Sequence, residues 1–472
     1  MKNKLLTISK IGLLAFTILV SQACQEDYEM VDPPMITDYD DDLDEEVVLQ
    51  KGLESYFVTQ FGEGDMDGTS WDQAMDVAGF RKLLSGSIDL SKSTIYMSQG
   101  KYVMSETGGL GVIIRKDIKA IKGGYSLLSE GMDLTKRSID TYKTVISGDV
   151  NGNNQADSGD CGLLLVKGGI IGIEGVTFQY GYLSNNDAKS NECGSGIYIN
   201  GNANSTSVEL TDCIIRDCKT EAVNGQGGIA GGTAILIASG SSKLNNVKFL
   251  DNAADSRGGA IRCNSDKAVV FMNNCLITGN SVRELFGVGI QVSSGHICMN
   301  NTTVLGTTGT SKNSITVNGD ARFMLSNTTI VGNSGNPNGV FRAGKGASLI
   351  VNSLFVKGAG TKTIYAGNIT SKGYNVYQAA DPNWGAIGTD TDYSSQTLPA
   401  ASLTDGVYQW TVASIIDEFA TRQAVIDAVK SFDVTVGQQF VNWVGEEGFG
   451  VDQRGTNRNI NKMQPGAYDA GL

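Results

Sequence analysis

The sequence predicts an all-β fold, a right-handed single-stranded parallel β-helix solenoid of about ten coils. Three observations carry this reading. Gly makes up 60 of the 472 residues and Pro only 6, a bias that, with abundant Asn, Ser and Thr, suits many short strands joined by tight turns. Two different phrases of alternating apolar residues recur and keep step with one another. The residue that opens the first of them is Asn, Asp, Gly or Ser in every copy.

The first phrase reads Gly175-Val-Thr-Phe178, Asp212-Cys-Ile-Ile215, Asn246-Val-Lys-Phe249 and Asn274-Cys-Leu-Ile277, then Asn301-Thr-Thr-Val304, Asn327-Thr-Thr-Ile330 and Ser353-Leu-Phe-Val356. Its copies are 37, 34, 28, 27, 26 and 26 residues apart. The second begins at Ile197, Ile235, Ile261, Ile290, Ile315, Val340 and Ile364, at intervals of 38, 26, 29, 25, 25 and 24. In a strand side chains alternate between faces. The column Val176, Cys213, Val247, Cys275, Thr302, Thr328, Leu354 is therefore expected to point inward with Phe178, Ile215, Phe249, Ile277, Val304, Ile330 and Val356. The residues between, Leu276 among them, are expected to face solvent. One coil cannot bury its apolar face, whereas stacked coils pair edge to edge around a continuous core. At a strand spacing of about 4.8 Å the rod would be about 50 Å long. Asn and Asp tolerate left-handed backbone and bond to nearby main chain, so the opening residues predict a stacked ladder of turns.

Ends and tether follow from composition. Lys2, Lys4 and Lys10 precede the apolar run 11–20, which is too short to span a bilayer and reads as the core of a signal peptide over 1–23. Residues 24–50 form an acidic tether with 11 acidic and no basic side chains between 25 and 50, which self-repel and favour an extended chain. Residues 51–110 are assigned to an N-terminal cap and first coils, with a helical stretch around 72–84. Residues 111–380 form the β-helix, and 381–472 a C-terminal cap region with an amphipathic helix over 413–430. Much of the net charge of −13 lies in the tether, and nothing in the folded part suggests nucleic acid as a partner. Cys161, Cys193, Cys213, Cys218, Cys263, Cys275 and Cys298 show no metal spacing and leave one or two disulfides open. Cys213 and Cys275, two coils and so about 10 Å apart, are too distant to bridge.

Several segments carry a family resemblance. Gly258-Gly-Ala-Ile261, Phe249-Leu-Asp-Asn252 and Phe271-Met-Asn-Asn274 resemble the repeat motifs of chlamydial polymorphic outer-membrane proteins, within the wider pectate-lyase-like β-helix group. Asp67-Gly-Thr-Ser-Trp71, Gly123-Gly-Tyr125 with Ile146-Ser-Gly-Asp149, and Asp452-Gln-Arg-Gly455 with Pro465-Gly-Ala-Tyr468 are similar to segments of secreted β-helix lipoproteins. Val20-Ser-Gln-Ala-Cys24 resembles a lipoprotein processing site, and the acidic start after it resembles the surface-export signal of Bacteroidota lipoproteins. The resemblance implies lipidation at Cys24 and a surface-exposed outer-membrane location. Ser21 departs from the Leu usual in such sites.

Chemistry is sparse. His296 is the single histidine, and no paired carboxylate motif of a glycosidase stands in the repeats. The loop 149–160 places oxygen ligands Asp149, Asn151, Asn153, Asp157 and Asp160 at positions 1, 3, 5, 9 and 12 of a calcium-type loop. Asn154 stands where Gly is usual and Asp160 where Glu is usual, and an Asx-rich turn is the competing reading. Calcium is the only cofactor the sequence suggests. The second phrase offers an outward column in which Tyr198, Arg262, Gln291, Phe341 and Tyr365 could bind an extended glycan. The function this supports is a noncatalytic, lipid-anchored surface protein that binds glycans or other surfaces. The alternative is a polysaccharide lyase or glycoside hydrolase on the same scaffold.

Overall fold

The computed structural model describes residues 50–126, 133–184, 194–202, 204–222, 231–255, 257–283, 287–305, 313–332, 340–357, 364–365, 367–378, 384–393, 402–404, 407–409 and 419–467. Cys24, the tether up to residue 49 and Cys193 lie outside them. The chain forms a parallel β-helix. Successive coils pair strand to strand in parallel, giving an eleven-stranded sheet, a seventeen-stranded sheet and a short four-stranded sheet. The eleven-stranded sheet starts at Gly100–Val103, carries the first phrase through Val176–Gln179 and its later copies, and ends at Thr391–Asp392.

Each coil turns into this sheet at a corner with positive φ. The corner residues are Gly175, Asp212, Asn246, Asn274, Asn301, Asn327 and Asn352, with φ between 45° and 68°. Asn tolerates this conformation, and its amide then bonds to the coil below. Asn327 Nδ2 donates to Asn300 Oδ1 (2.9 Å) and Asn352 Nδ2 to Asn327 Oδ1 (2.7 Å). The next corner has its own ladder, in which buried Asn252 donates to Asn280 Oδ1 (2.9 Å) and Asn280 to the carbonyl of Phe249 (3.0 Å). Of the two Phe-x-x-Asn matches, the one at 249–252 turns its Phe into the core and its Asn into this ladder. The one at 271–274 runs in the opposite phase, with Phe271 outside the coil and Asn274 at the first corner.

The register bears out the inward columns as far as Thr328 and Ile330 and shifts them by one residue beyond. Ile330 pairs with Phe355 and Ile315 with Phe341. The last corner is Asn352 rather than Ser353, the inward residues are Ser353 and Phe355 rather than Leu354 and Val356, and the second phrase restarts at Phe341 rather than Val340. Apolar residues on both sides of each strand in that coil hid the phase.

Both ends of the core are closed by aromatic residues. Helix α1 (Val77–Ser85), capped by Asp76 Oδ1 accepting from Gly79 N (2.7 Å), buries Phe80, Leu83 and Leu84 in the coil core. At the other end Trp384 enters the core and meets Tyr377 edge-on, with centroids 4.9 Å apart. The C-terminal helices lie elsewhere. Helix α2 (Arg422–Lys430) and helix α3 (Val434–Val444) pack on the flank of the rod, over the outward residues Phe271, Cys298, Met324 and Leu349 of successive coils. The expectation of an amphipathic helix near the far end is corrected accordingly: its apolar face has an apolar row to cover on the side. Residues 413–418 of the expected helical span lie outside the described residues.

A strap over 451–467 then runs along the eleven-stranded sheet. Gln453 Nε2 donates to the Cys275 carbonyl (2.7 Å) and its Oε1 accepts from Thr303 Oγ1 (2.5 Å). Ala467 N donates to Thr329 Oγ1 (2.9 Å). Arg458, buried, donates to Asn301 Oδ1 (3.1 Å) and to the carbonyls of Val451 (3.0 Å), Gln464 (3.0 Å) and Gly466 (2.8 Å). The two C-terminal motifs noted in the sequence are thus docking elements for the corner ladder. They also correct the expected exposure of Leu276, which points out of its coil yet is only 6% exposed beneath the strap.

Cys161, Cys213, Cys218, Cys263, Cys275 and Cys298 are buried free thiols, so none of the described cysteines is bridged. Burial pushes the thiols of Cys161, Cys213, Cys218, Cys263 and Cys275 up to about 12, which leaves them unreactive.

Two predictions follow from this packing. Ile277→Asp buries an unpaired carboxylate in the core and is expected to cost several kcal/mol. Leu276→Asp is expected to destabilise less and to release the strap, read as new protease cleavage within 451–467 while the coils stay protected. The seam of the helix pair should also loosen in acid. His296 packs edge-on to Phe432 and lies near the Arg322–Asp433 ion pair (2.7 Å). Burial and then Arg322 hold the His296 pKa below its ordinary value, and the N–H of Val436 leads the groups that hold Asp433 low. Both groups bind fewer protons folded than unfolded, so stability is lost as pH falls below about 6.5 for the histidine and further through the carboxylate range. Thermal unfolding at pH 7.5 and pH 5 checks this, and His296→Phe should flatten the upper part of the dependence.

Candidate functional site

The strand that precedes each corner falls outside both repeated phrases, and it carries the site. Its copies Thr206–Thr211, Ser241–Asn245, Ile261–Asn273 and Ile290–Asn300 belong to the seventeen-stranded sheet, the last two as the second half of long strands. Val208, Leu210, Leu244, Val270, Met272, Ile297 and Met299 point into the core. The outward partners in register are Glu209, Lys243, Phe271 and Cys298, continued by Met324 and Leu349. The row changes from charged to apolar between Lys243 and Phe271, where α3 begins to cover it.

At that boundary lies a cleft of about 300 Å³ lined by Glu209, Thr211, Lys243, Asn245, Asn273, Asn274, Trp443, Val444, Gly448 and Val451. Trp443 forms one wall, half-buried against Phe271 and Phe440, each with ring centroids 5.9 Å away. The opposite side is polar: Lys243 Nζ donates to Glu209 Oε1 (2.6 Å), and Asn273 Nδ2 to Asn245 Oδ1 (3.1 Å). Asn274 Oδ1 is buried without a hydrogen-bond partner among the described residues. An aromatic face opposite amides and a charged pair, with an acceptor left open, suits a neutral polyhydroxylated ligand: apolar C–H faces meet the ring while hydroxyls donate and accept at the floor.

The cleft floor continues along the rod. Thr211, Asn245 and Asn273 stand in one register row with Phe57, Tyr96, Lys122 and Glu174. All but Asn273 are partly exposed, and six strand spacings make the strip about 29 Å long. Lys122 pairs with Glu174 (3.0 Å), which also pairs with Arg137. Burial opposes ionisation of Glu174, but Lys122 and Arg137 overcome it and hold the carboxyl below its ordinary range.

The glycan column proposed from the second phrase is not a surface strip. Tyr198, Arg262, Gln291 and Phe341 are 2%, 3%, 0% and 0% exposed. Phe341 points into the core because of the register shift, and the outward residue of its strand is Arg342. Tyr198 packs with Leu165 and Leu236. The glycine turn before each strand folds back over the rest: a Cβ at Gly258 would lie 2.9 Å from that of Arg262, and one at Gly287 2.9 Å from that of Gln291. Tyr365 pairs with Arg342 in the same row, and its side chain lies outside the described residues. His296 sits in the helix seam, engaged with Phe432.

In the 149–160 loop, Asp149 and Asp160 are buried, while Asn151 and Asn153 are exposed. Asn151 Nδ2 and Asn153 Nδ2 donate to Asp157 (2.9 and 2.6 Å), and Asp160 accepts from Val150 N (2.9 Å) and Asp157 N (3.0 Å). Among the described residues no three His, Cys, Asp or Glu side chains already converge as a metal shell.

Stacked parallel coils closed at both ends define the class of protein, a parallel β-helix with a lateral cleft. Among solved structures the chain is similar to the crystal structure of pectate lyase Pel9A, with a TM-score of 0.39 and 11% identity over 90% of this chain and 92% of that one. Likeness at that level does not bear on activity. No protein-family model and no curated protein sequence matches the chain.

Proposed function

We propose that this protein is a noncatalytic, lipid-anchored component of the outer membrane that holds an extended glycan along the strip from Phe57 to the Trp443 cleft. The observation that carries the reading is the cleft itself, where a half-buried indole faces asparagine amides, the Glu209–Lys243 pair and the open acceptor of Asn274. The strip length suits several sugar units of a polymer. Binding without cleavage is supported by the state of the acids along it. A glycosidase needs a carboxylic acid that keeps its proton beside a second, ionised carboxylate, whereas Glu174 is held ionised by two cations and Glu209 is bonded to Lys243.

Soluble polysaccharides retained by the immobilised protein would identify the ligand. Trp443→Ala and Lys243→Ala are each expected to weaken retention roughly tenfold, about the worth of one stacking or charge-assisted contact. Thermal unfolding of both variants controls for damage to the helix seam. Retention of no polysaccharide would sink the glycan reading, and release of reducing or unsaturated ends would replace binding with catalysis.

The anchor rests on Cys24 and the acidic tether in the sequence. Cys24→Ala is expected to move the protein out of the membrane fraction, and protease added to intact cells should cut between 25 and 50. Unchanged fractionation of the variant would remove the lipid, and resistance to protease would remove outward exposure.

A further inference from the structure

Two of the segments singled out in the sequence, Asp67-Gly-Thr-Ser-Trp71 and Gly123-Gly-Tyr125, meet at the N-terminal end of the strip. The rings of Trp71 and Tyr125 lie 6.0 Å apart and their residues are 6% and 3% exposed. Asp67 Oδ1 shapes the turn before Trp71 by accepting from Thr69 N (2.9 Å) and Thr69 Oγ1 (2.7 Å). At Gly124, where φ is 97°, a Cβ would stand 2.9 Å from Ile139, so glycine is required there. A second pair of rings, half-exposed, rests on this buried one. Phe57 meets Trp71 at a steep angle (5.1 Å, 61°), and Tyr96 meets Tyr125 likewise (5.5 Å, 85°). Phe57 and Tyr96 are stacked on each other, 5.5 Å apart with their planes 22° from parallel. Arg137 lies 5.9 Å over Tyr125 and ties the cluster to Glu174. The buried rings and the cation thus hold two nearly parallel faces half open to solvent, which is a preorganised platform for a flat apolar surface.

We propose that Phe57 and Tyr96 form a second stacking subsite for a neutral polysaccharide, so that the strip grips its ligand at both ends and selects chains by length. The inference rests on the glycan reading of the Trp443 cleft. Phe57 and Tyr96 open the register row that runs to Asn273 in the cleft floor, about 29 Å away at the strand spacing. Two residues before Phe57, Tyr96, Lys122 and Glu174 the strands carry Ser55, Thr94, Ala120 and Gly172, so the sheet face beside the row is low and a flat chain can lie against it. Each cation along the row is already engaged, Lys122 and Arg137 by Glu174 and Lys243 by Glu209. A uronate would have to displace a carboxylate from its partner, and the charge pattern therefore favours a neutral chain. A chain long enough to reach both ends meets the second platform at high effective concentration, which raises affinity without any new contact.

Calorimetric titration of the full chain with disaccharides and hexasaccharides of the xylo, manno and cello series, and with oligogalacturonate of matching length, tests this. In the series that binds, the hexasaccharide is expected to bind at least about tenfold more tightly than the disaccharide. Phe57→Leu combined with Tyr96→Leu keeps apolar volume but removes the ring faces; it should abolish that gain and leave disaccharide affinity unchanged, whereas Trp443→Ala should weaken both. Tyr96→Phe, which keeps the ring, should preserve the gain. A misfolded variant would lose the disaccharide as well, and Tyr96→Leu alone then carries the comparison. Equal affinity for the two lengths, a gain that survives loss of both rings, or a preference for oligogalacturonate overturns the proposal. Failure of every probe to bind removes the cleft reading together with it, while disaccharide binding without a length gain removes the second subsite alone.

Discussion

The corner with positive φ between two parallel sheets is the constraint on which the rest of the structure depends. A β-strand cannot turn there with an ordinary side chain at little cost, and Asn or Asp relieves the strain while offering an amide or carboxylate to the neighbouring coil. Once one corner stacks on the next, the register of both flanking strands is set, and with it which residues enter the core. A slip of one residue would turn every inward side chain outward. Each ladder bond contributes on the order of 1 kcal/mol. Their larger effect is specificity, since a buried Asn in the wrong register would lose its partners.

The same corners organise the outside of the molecule. Asn301 and Asn352 bond to the strap, through Asn301 Nδ2 to the Val451 carbonyl and Asn352 Nδ2 to that of Gln464, and Asn352 Nδ2 also donates to Asn327 of the neighbouring coil. Arg458 gathers three strap carbonyls and Asn301 at one buried guanidinium. Its planar fork suits several acceptors at once, and a lysine could not replace it. The polar ladder that builds the solenoid is thereby also the surface that recognises the C-terminal segment.

The solenoid was legible because its signal is local and repeated. Two phrases in step fixed the coil count closely and the inward phase as far as Ile330, and the phase failed only at Val340 and Ser353, where neighbouring residues are apolar on both faces. The helix at α1 was legible for the same local reason. Exposure was not. Leu276 alternates as an outward residue should, yet what covers it arrives from more than 170 positions away, and Tyr198, Arg262 and Gln291 are covered by turns whose fold-back no alternation reveals. The cleft was missed because its aromatic wall is Trp443, while its floor lies at 209–274. One signal was available: the row Glu209, Lys243, Phe271, Cys298, Met324, Leu349 changes character partway along the rod. Such a change means that another element lies on the apolar half and ends where the charged half begins.

That covered row has a consequence in time. The coils around Phe271 and Leu349 are synthesised before α2, α3 and the strap that shield them. Trp443 lies 172 positions after Phe271, so wherever the chain folds vectorially the cover is the last part to arrive. Until it does, a partly folded rod displays a stripe of aromatic and aliphatic side chains beside an open strand edge, an arrangement prone to pairing with a second chain. Protection in that interval has to come from outside the molecule. The burden on chaperones is therefore set by how far the cover lies downstream, a property of the order of segments along the chain rather than of final stability.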